Sequence, residues 1–170
     1  MITRKILSPA LFALALTVAA TPAFAQSVRV LGEHNAWSAY ATSESAGQIC
    51  FVLSRPSATE PVPAGFTQGY FYITHRPAQN IRSEINLVAG YEFAPESVAT
   101  LSVGSQSFDL FTEGDSAWLA DPSQTASAVA AIRAGSTMSV SGTALSGQTV
   151  RQSFSLSGAT AATRAIDAAC

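Results

Sequence analysis

The chain has 170 residues and 48% hydrophobic residues, which is typical of one globular domain with a substantial core. Nine basic residues against eleven acidic ones give a net charge of −2. This charge balance excludes the basic surface that nucleic-acid-binding proteins share, so we expect no nucleic-acid partner.

The first 25 residues have the pattern of a secretory signal peptide. The segment starts with Arg4 and Lys5, is mostly apolar over residues 6–20 and ends in an Ala-Phe-Ala motif of the kind that signal peptidase recognises. The apolar run is too short to span a membrane, and no second run follows. We therefore predict that residues 1–25 are a cleaved signal and residues 26–170 are one exported domain without a transmembrane span.

Cleavage would change the charge of the chain. Loss of Arg4 and Lys5 from the nine basic residues leaves seven arginines against eleven acidic residues, which is a net charge of −4. The exported domain would contain no lysine. We predict a periplasmic or secreted protein, or one associated with the cell surface.

Both cysteines, Cys50 and Cys170, lie in the predicted exported domain. An even number of cysteines in an oxidising compartment favours a disulfide between them. Such a bond would close most of the domain into one loop, which in the chain-entropy model stabilises the fold by about 4–5 kcal/mol. The alternative is a catalytic thiol at Cys50, but no Cys-x-x-Cys motif supports it.

A polar cluster between two predicted strands is the most distinctive local feature. Residues 70–74 and 84–89 alternate apolar and polar side chains, as half-buried strands do. The segment between them contains His75, Arg76 and Arg82, and a proline that cannot donate to a strand ladder. Because loops on a rigid scaffold often carry function, we predict a recognition loop here and expect His75→Ala to leave folding intact.

Other segments predict further strands, surface loops and two helices. Three prolines within residues 55–65 indicate a surface loop. Asp121 and a following proline indicate the start of a helix that ends at Gly135 in the left-handed conformation, and the alanine-rich segment Ala159–Ala169 predicts a second helix. Further strands are predicted at residues 37–41, 49–53, 99–103, 107–112, 117–119, 137–141 and 150–156. Seven to nine short strands with two helices favour a mainly β fold, a β-sandwich.

The sequence contains few of the residue patterns that a catalytic or metal-binding site needs. Only two histidines are present, and with both cysteines paired they do not form a zinc ligand set, so we predict no metal and no cofactor. Asp109, Glu113 and Asp115 could ligate calcium, but their spacing does not match the helix–loop–helix calcium site and favours a solvated turn. We predict no catalytic residue, because His75 lacks a motif that would supply a nucleophile.

Two alternatives remain open for the arginines and the tryptophans. Arg76 and Arg82 could bind a carboxylate or phosphate, although pairing with Glu84 or with a strand-end carbonyl is the simpler interpretation. Trp37 and Trp118 are either core residues or exposed contacts.

Several motifs together resemble the invasion-associated locus B family of exported bacterial proteins. The resemblance covers residues 33–170 and rests on the segments WSAY at 37–40, ICFVLSRP at 49–56, YFYITHRP at 70–77, FTEGDSAW at 111–118 and AIDAAC at 165–170. It implies an immunoglobulin-like β-sandwich and paired cysteines. It also implies a role in host-cell invasion or in the bacterial envelope.

This resemblance leaves two functional hypotheses. The first is a non-enzymatic binding module with an unidentified protein or envelope partner. The second is a small periplasmic hydrolase that uses the loop from His75 to Arg82.

Overall fold

The computed structural model describes residues 28–170, so the predicted signal peptide at residues 1–25 lies outside the described residues. The described chain forms one antiparallel sheet of eleven strands and two α-helices. The strands are β1 (Arg29–His34), β2 (Trp37–Glu44), β3 (Gly47–Ser54), β4 (Ala58–Glu60), β5 (Tyr70–Arg76), β6 (Ile81–Val88), β7 (Val98–Val103), β8 (Gln106–Glu113), β9 (Ser116–Leu119), β10 (Thr137–Thr143) and β11 (Thr149–Ser155), and the helices are α1 (Thr125–Ala134) and α2 (Ala159–Ala169). Their order in the sheet is β1-β2-β3-β5-β6-β9-β8-β7-β10-β11-β4.

The sheet folds over so that its two halves face each other. The indole nitrogen of Trp37 on β2 donates to the carbonyl oxygen of Ser155 on β11 at 2.9 Å. Phe71 on β5 packs on Phe154 on β11 with ring centroids 5.7 Å apart. These contacts join strands from opposite halves of the sheet. The fold is therefore the predicted immunoglobulin-like β-sandwich, with the hydrophobic core between the two halves.

Alternation along the strands decides which side chains enter this core. Ala39, Val52 and Ile73 lie side by side on β2, β3 and β5 and are almost completely buried. Neighbouring positions point outward and stay partly exposed. Full burial of a side chain such as Ile73 stabilises the fold by about 1.5–3 kcal/mol, so these inward rows hold the sandwich together.

Two strands were not predicted from the sequence, namely β1 and β4. Strand β1 contains Gly32 and a register irregularity between Val30 and Gly32, which interrupts the alternation that the prediction needs. Strand β4 has only three residues and lies at the edge of the sheet, within the proline-rich segment that we expected to be a loop. The edge position agrees with the rule that prolines exclude a central strand.

The first helix begins as predicted and ends differently. A carboxylate oxygen of Asp121 accepts from the N–H of Ser123 at 2.9 Å, and one 3-10 turn precedes α1. The predicted left-handed end at Gly135 is wrong, because this residue is extended with φ −79° and ψ 168°. An added Cβ at Gly135 would lie 2.8 Å from a methyl carbon of Val103. Glycine is therefore needed there for close packing rather than for a turn.

The second helix, α2, has the predicted bounds and depends on a glycine before its first residue. Gly158 has φ +95°, and a Cβ at this position would lie 1.8 Å from the backbone oxygen of His34. We expect Gly158→Ala to lower the free energy of unfolding by about 1–3 kcal/mol, since backbone strain and overpacking combine. Urea denaturation would measure this loss.

Gly104→Ala is the matched control for this substitution. Gly104 also has a positive φ, +58°, but no atom lies within 4 Å of an added Cβ. The free energy of unfolding of Gly104→Ala should therefore fall only by the amount that left-handed backbone strain contributes. Equal losses in the two variants would contradict the proposed clash with His34.

Candidate functional site

The predicted recognition loop is shorter in the structure than the sequence suggested. Strand β5 extends to Arg76, β6 begins at Ile81, and a single 3-10 turn over Pro77–Gln79 connects them. A register irregularity between Thr74 and Arg76 allows the ladder to continue past the predicted end of β5. His75 and Arg76 are therefore strand residues rather than loop residues.

His75 lies inside the protein, beneath α2, with only 1% of its surface exposed. Its Nδ1 accepts a hydrogen bond from the backbone N–H of Ser83 at 2.9 Å. Its Nε2 lies 2.9 Å from a carboxylate oxygen of Asp167 on α2. Because Nδ1 acts as acceptor, the network assigns the ring proton to Nε2, which donates to Asp167.

This arrangement leaves His75 without the features of a catalytic base. Both ring nitrogens are engaged, and the side chain is closed off from solvent. Among the described residues its side-chain hydrogen bonds join it to an acid and a backbone N–H, with no serine, threonine or cysteine nucleophile. The hydrolase hypothesis therefore finds no support at this position.

Asp167 also binds Arg133 of α1, so it joins the two helices to the sheet. A terminal guanidinium nitrogen of Arg133 lies 2.6 Å from the second carboxylate oxygen of Asp167. Partial burial by itself raises the pKa of Asp167, but the hydrogen bonds from His75 and Arg133 outweigh it and hold that pKa below its usual value. A depressed pKa means that this stabilisation is present above the unfolded-state pKa and is lost as pH falls through the folded-state pKa.

The predicted disulfide between Cys50 and Cys170 is confirmed. Their Cα atoms lie 6.0 Å apart, and the bond fastens the end of α2 to β3. Cys50 is directly opposite His75 in the pairing of β3 with β5. Two neighbouring residues of the sheet thus hold α2, one through a covalent bond and the other through the hydrogen bond to Asp167. We call these four residues, Cys50, His75, Asp167 and Cys170, the helix latch.

The two arginines of the predicted loop have different surroundings. Arg76 forms an ion pair with Glu84 on the outward side of the sheet, which is the simpler of the two interpretations given above. Arg82 is exposed, and one of its nitrogens donates to the backbone oxygen of Cys170 at 3.1 Å. Of the three predicted recognition residues, Arg82 is therefore the most exposed, Arg76 is half-buried and His75 is buried.

The outward side of the sheet carries a set of aromatic rings that the core does not use. Tyr40 stacks on Phe51 at 5.2 Å, and Phe51 contacts Tyr72 at 6.2 Å. Phe111 and Trp118 stack at 5.4 Å on the neighbouring strands β8 and β9. Their partial exposure makes the sheet surface apolar where a solvated strand usually carries polar groups. We call this set the outer aromatic face; its members are Tyr40, Phe51, Tyr70, Tyr72, Phe111 and Trp118.

A groove of about 600 Å³ lies beside Phe111 and Trp118, and we call it the aromatic groove. It runs between the β5–β6 turn, strands β8 and β9, and the start of α1. Its lining includes Ile81, Arg82 and Leu119 as well as the two stacked rings. The groove thus brings the predicted recognition loop next to the FTEGDSAW segment.

A second groove of about 780 Å³ continues on the other side of Arg82, and we call it the basic groove. Its lining includes Arg82, Arg133, Arg164 and Asp167. Pro122 and Thr125 line both grooves, as does Arg82. The two grooves therefore form one continuous track over the ends of β6 and α1.

Sequence reasoning missed this combination of residues. Phe111 and Trp118 reach the groove because β6 pairs with β9, with Asn86 opposite Trp118. Arg133 and Arg164 join Arg82 only when both helices pack on the sheet. The one sequence signal for this site was the presence of aromatic residues at outward positions of the predicted strands. This signal did not decide whether Trp118 is a core residue or an exposed contact. Trp37, by contrast, is a core residue with 0% exposure.

The acidic residues near the β8–β9 turn do not form a metal site among residues 28–170. Asp109, Glu113 and Asp115 are all exposed. Within the described part of the chain, no group of three or more histidine, cysteine, aspartate or glutamate side chains is arranged to hold a metal ion.

Comparison with known proteins identifies the family. The pattern that defines the invasion associated locus B (IalB) proteins matches residues 37–167. The chain belongs to the IalB family. The matched range includes Phe111, Trp118 and Arg82, and it contains all of the helix latch except Cys170.

A solved structure of an IalB-type protein has a similar fold. The crystal structure of invasion associated protein B from Bartonella henselae aligns with a TM-score of 0.58 and 16% sequence identity, over 81% of this chain and 96% of that chain. At this identity the similarity shows the fold alone. No curated protein gives a significant match. Residues 28–170 of this IalB family member contain no helix with the length and apolar character of a membrane span.

Proposed function

We propose that this IalB family member is a non-enzymatic binding module that recognises an envelope partner through the outer aromatic face and the aromatic groove. The observation that carries the proposal is the stack of the exposed Phe111 on the half-buried Trp118, beside Arg82. Tryptophan, tyrosine and arginine are the side chains that most often dominate binding energy at protein interfaces.

The exposure of these side chains supports a binding role. Phe111 is 48% exposed and Val98, opposite it on β7, is 59% exposed. Contiguous exposed apolar side chains on a soluble domain mark an interaction surface, because the fold gains nothing by leaving them in water. The inward rows already supply the core, so the outward rings are available for a partner.

We also propose that the protein is exported through a signal at residues 1–25 and works in the periplasm or outside the cell. Family membership and the disulfide support this location, because such bonds persist in oxidising compartments. Intact-mass measurement on the envelope fraction should show a chain that starts at Gln26. Recovery of the full-length chain from the cytoplasm would contradict export.

A capture experiment tests the binding proposal. Mature protein is immobilised and exposed to envelope extract from the source bacterium, in the wild-type form and as the Phe111→Ala/Trp118→Ala double variant. Loss of two interface anchors costs at least about 2 kcal/mol each when they are hot spots, so we expect capture of specific partners to fall more than tenfold.

Val62→Ala is the control for this experiment. Val62 is 66% exposed and lies outside both grooves, so its truncation removes an exposed apolar side chain of similar accessibility. The control should capture the same partners as the wild type. If the double variant, with an unchanged melting temperature, also captures the same partners, the outer aromatic face is not the binding surface.

A further inference from the structure

The basic groove concentrates positive charge on a protein that is acidic as a whole. Arg82, Arg133 and Arg164 line it, whereas Asp167 is the one acidic residue that residues 28–170 contribute to its lining. Three of the seven arginines of the predicted exported domain thus lie in one groove of a domain with a net charge of −4. The formal charges of the side chains that line the groove sum to +2, opposite in sign to the net charge of the domain.

The arginines in this groove keep donors free for a ligand. Arg164 is exposed and makes no salt bridge or side-chain hydrogen bond with any residue from 28 to 170. Within the same residues the side chain of Arg82 makes one hydrogen bond, to the backbone oxygen of Cys170. Arg133 uses Nε and one Nη, which bind Thr163 and Asp167. Because a guanidinium has five N–H donors in a planar fork, each of these side chains can still bind a carboxylate.

We propose that the basic groove binds an acidic peptide segment of the partner, with carboxylates at Arg82 and Arg164 and a neighbouring apolar side chain on Phe111 and Trp118. The inference rests on the proposed function and names the chemistry of the ligand. Arg82 belongs to both grooves, so one extended segment can reach the aromatic stack and the arginines. Because Glu84 and Glu113 also line the aromatic groove, the apolar side chain belongs there and the carboxylates belong in the basic groove.

Charge favours a peptide over an anionic membrane as the occupant. A membrane would meet a wide surface of the domain, whose net charge of −4 opposes approach to anionic lipid. A narrow acidic segment meets the local field of the groove instead. Arg82 and Arg164 are exposed residues, so the attraction should be screened by salt.

Arginine side-chain NMR provides a direct test. The exported domain has seven arginines and no lysine, so the Nε–Hε region has few signals to assign. The probe is the capped peptide Phe-Glu-Glu-Asp-Glu, and its uncharged counterpart is Phe-Gln-Gln-Asn-Gln. We expect the acidic peptide at millimolar concentration to shift the signals of Arg82, Arg133 and Arg164 and the uncharged peptide to leave them in place.

Variants test whether these shifts report the proposed site. Arg82→Gln/Arg164→Gln should weaken binding of the acidic peptide at least tenfold. Arg151 lies on β11, outside both grooves. Arg151→Gln also removes a positive charge from an arginine, and it should leave the affinity for the acidic peptide unchanged. Thermal melting of each variant checks that the fold is retained. We leave Arg133 unchanged because it supports α2 through Asp167.

Any of the following results would overturn the inference. No shift at millimolar peptide, or equal shifts at Arg29, Arg55 and Arg151, would mean that the groove has no preference for the acidic segment. Binding to phosphatidylglycerol vesicles that depends on Arg82 and Arg164 would assign the groove to anionic lipid. If the Phe111→Ala/Trp118→Ala variant loses its envelope partner while the double arginine variant keeps it, the proposed function stands and the acidic ligand is wrong.

Discussion

Cys170→Ser is expected to lower the free energy of unfolding by about 4–5 kcal/mol, because the disulfide closes a very long loop in the unfolded chain. The two cysteines are 120 positions apart. Loss of the bond also frees the last turn of α2, an eleven-residue helix that is too short to be stable alone in water. Urea denaturation measures the loss in stability, and hydrogen exchange should show that α2 opens before the sheet.

Ala169→Ser is the matched control for this variant. It introduces the same side chain one residue earlier and leaves the disulfide intact. We expect its effect on stability to stay within about 1 kcal/mol, as for a partly exposed helix position. A Cys170→Ser variant that unfolds at the urea concentration of the wild type, with unchanged exchange in α2, would show that the bond does not hold the helix.

The helix latch also supports the proposed ligand groove. Arg164 and Asp167 both belong to α2, and Arg133 is held in place by Asp167 and by the hydroxyl of Thr163. Release of α2 from the sheet would therefore disperse the charges of the basic groove. The aromatic groove is built on strands and the start of α1, so it should survive reduction of the disulfide.

The parts of the fold that follow from local pattern were predictable from the sequence. Alternation indicated most of the strands, and the bounds of α2 agree with the predicted segment Ala159–Ala169. The disulfide followed from an even number of cysteines and the expected compartment. These features depend on neighbouring residues or on composition, so tertiary structure does not have to be known first.

The site could not be predicted because distant segments build it. His75 and Asp167 are 92 residues apart, and the polar residues around His75 gave the appearance of an exposed loop. Burial of His75 becomes apparent only when α2 covers the end of β5. In the same way, the approach of Arg82 to Phe111 depends on the pairing of β6 with β9. Long-range pairing of this kind leaves no periodic signal in the chain.

His75→Ala is expected to destabilise the protein. This reverses the prediction from the sequence, which placed His75 in a loop and expected folding to stay intact. The substitution leaves the N–H of Ser83 and one oxygen of Asp167 without their partners and opens a cavity at a site with 1% exposure. The unsatisfied N–H of Ser83 costs about 1–3 kcal/mol and the cavity adds to it, whereas water can solvate the oxygen of Asp167, which is 36% exposed. We therefore expect a total loss of about 3–5 kcal/mol in the free energy of unfolding. Urea denaturation of the wild type and the variant measures it.

Arg76→Ala provides the comparison with an adjacent residue of the same strand. Arg76 pairs with Glu84 on the outward, partly exposed side of the sheet, where an ion pair contributes at most about 1 kcal/mol. A double-mutant cycle of His75→Ala with Asp167→Ala then isolates the hydrogen bond, because the two losses should not add. Additive losses, or a His75→Ala variant as stable as Arg76→Ala, would show that His75 does not hold α2 to the sheet.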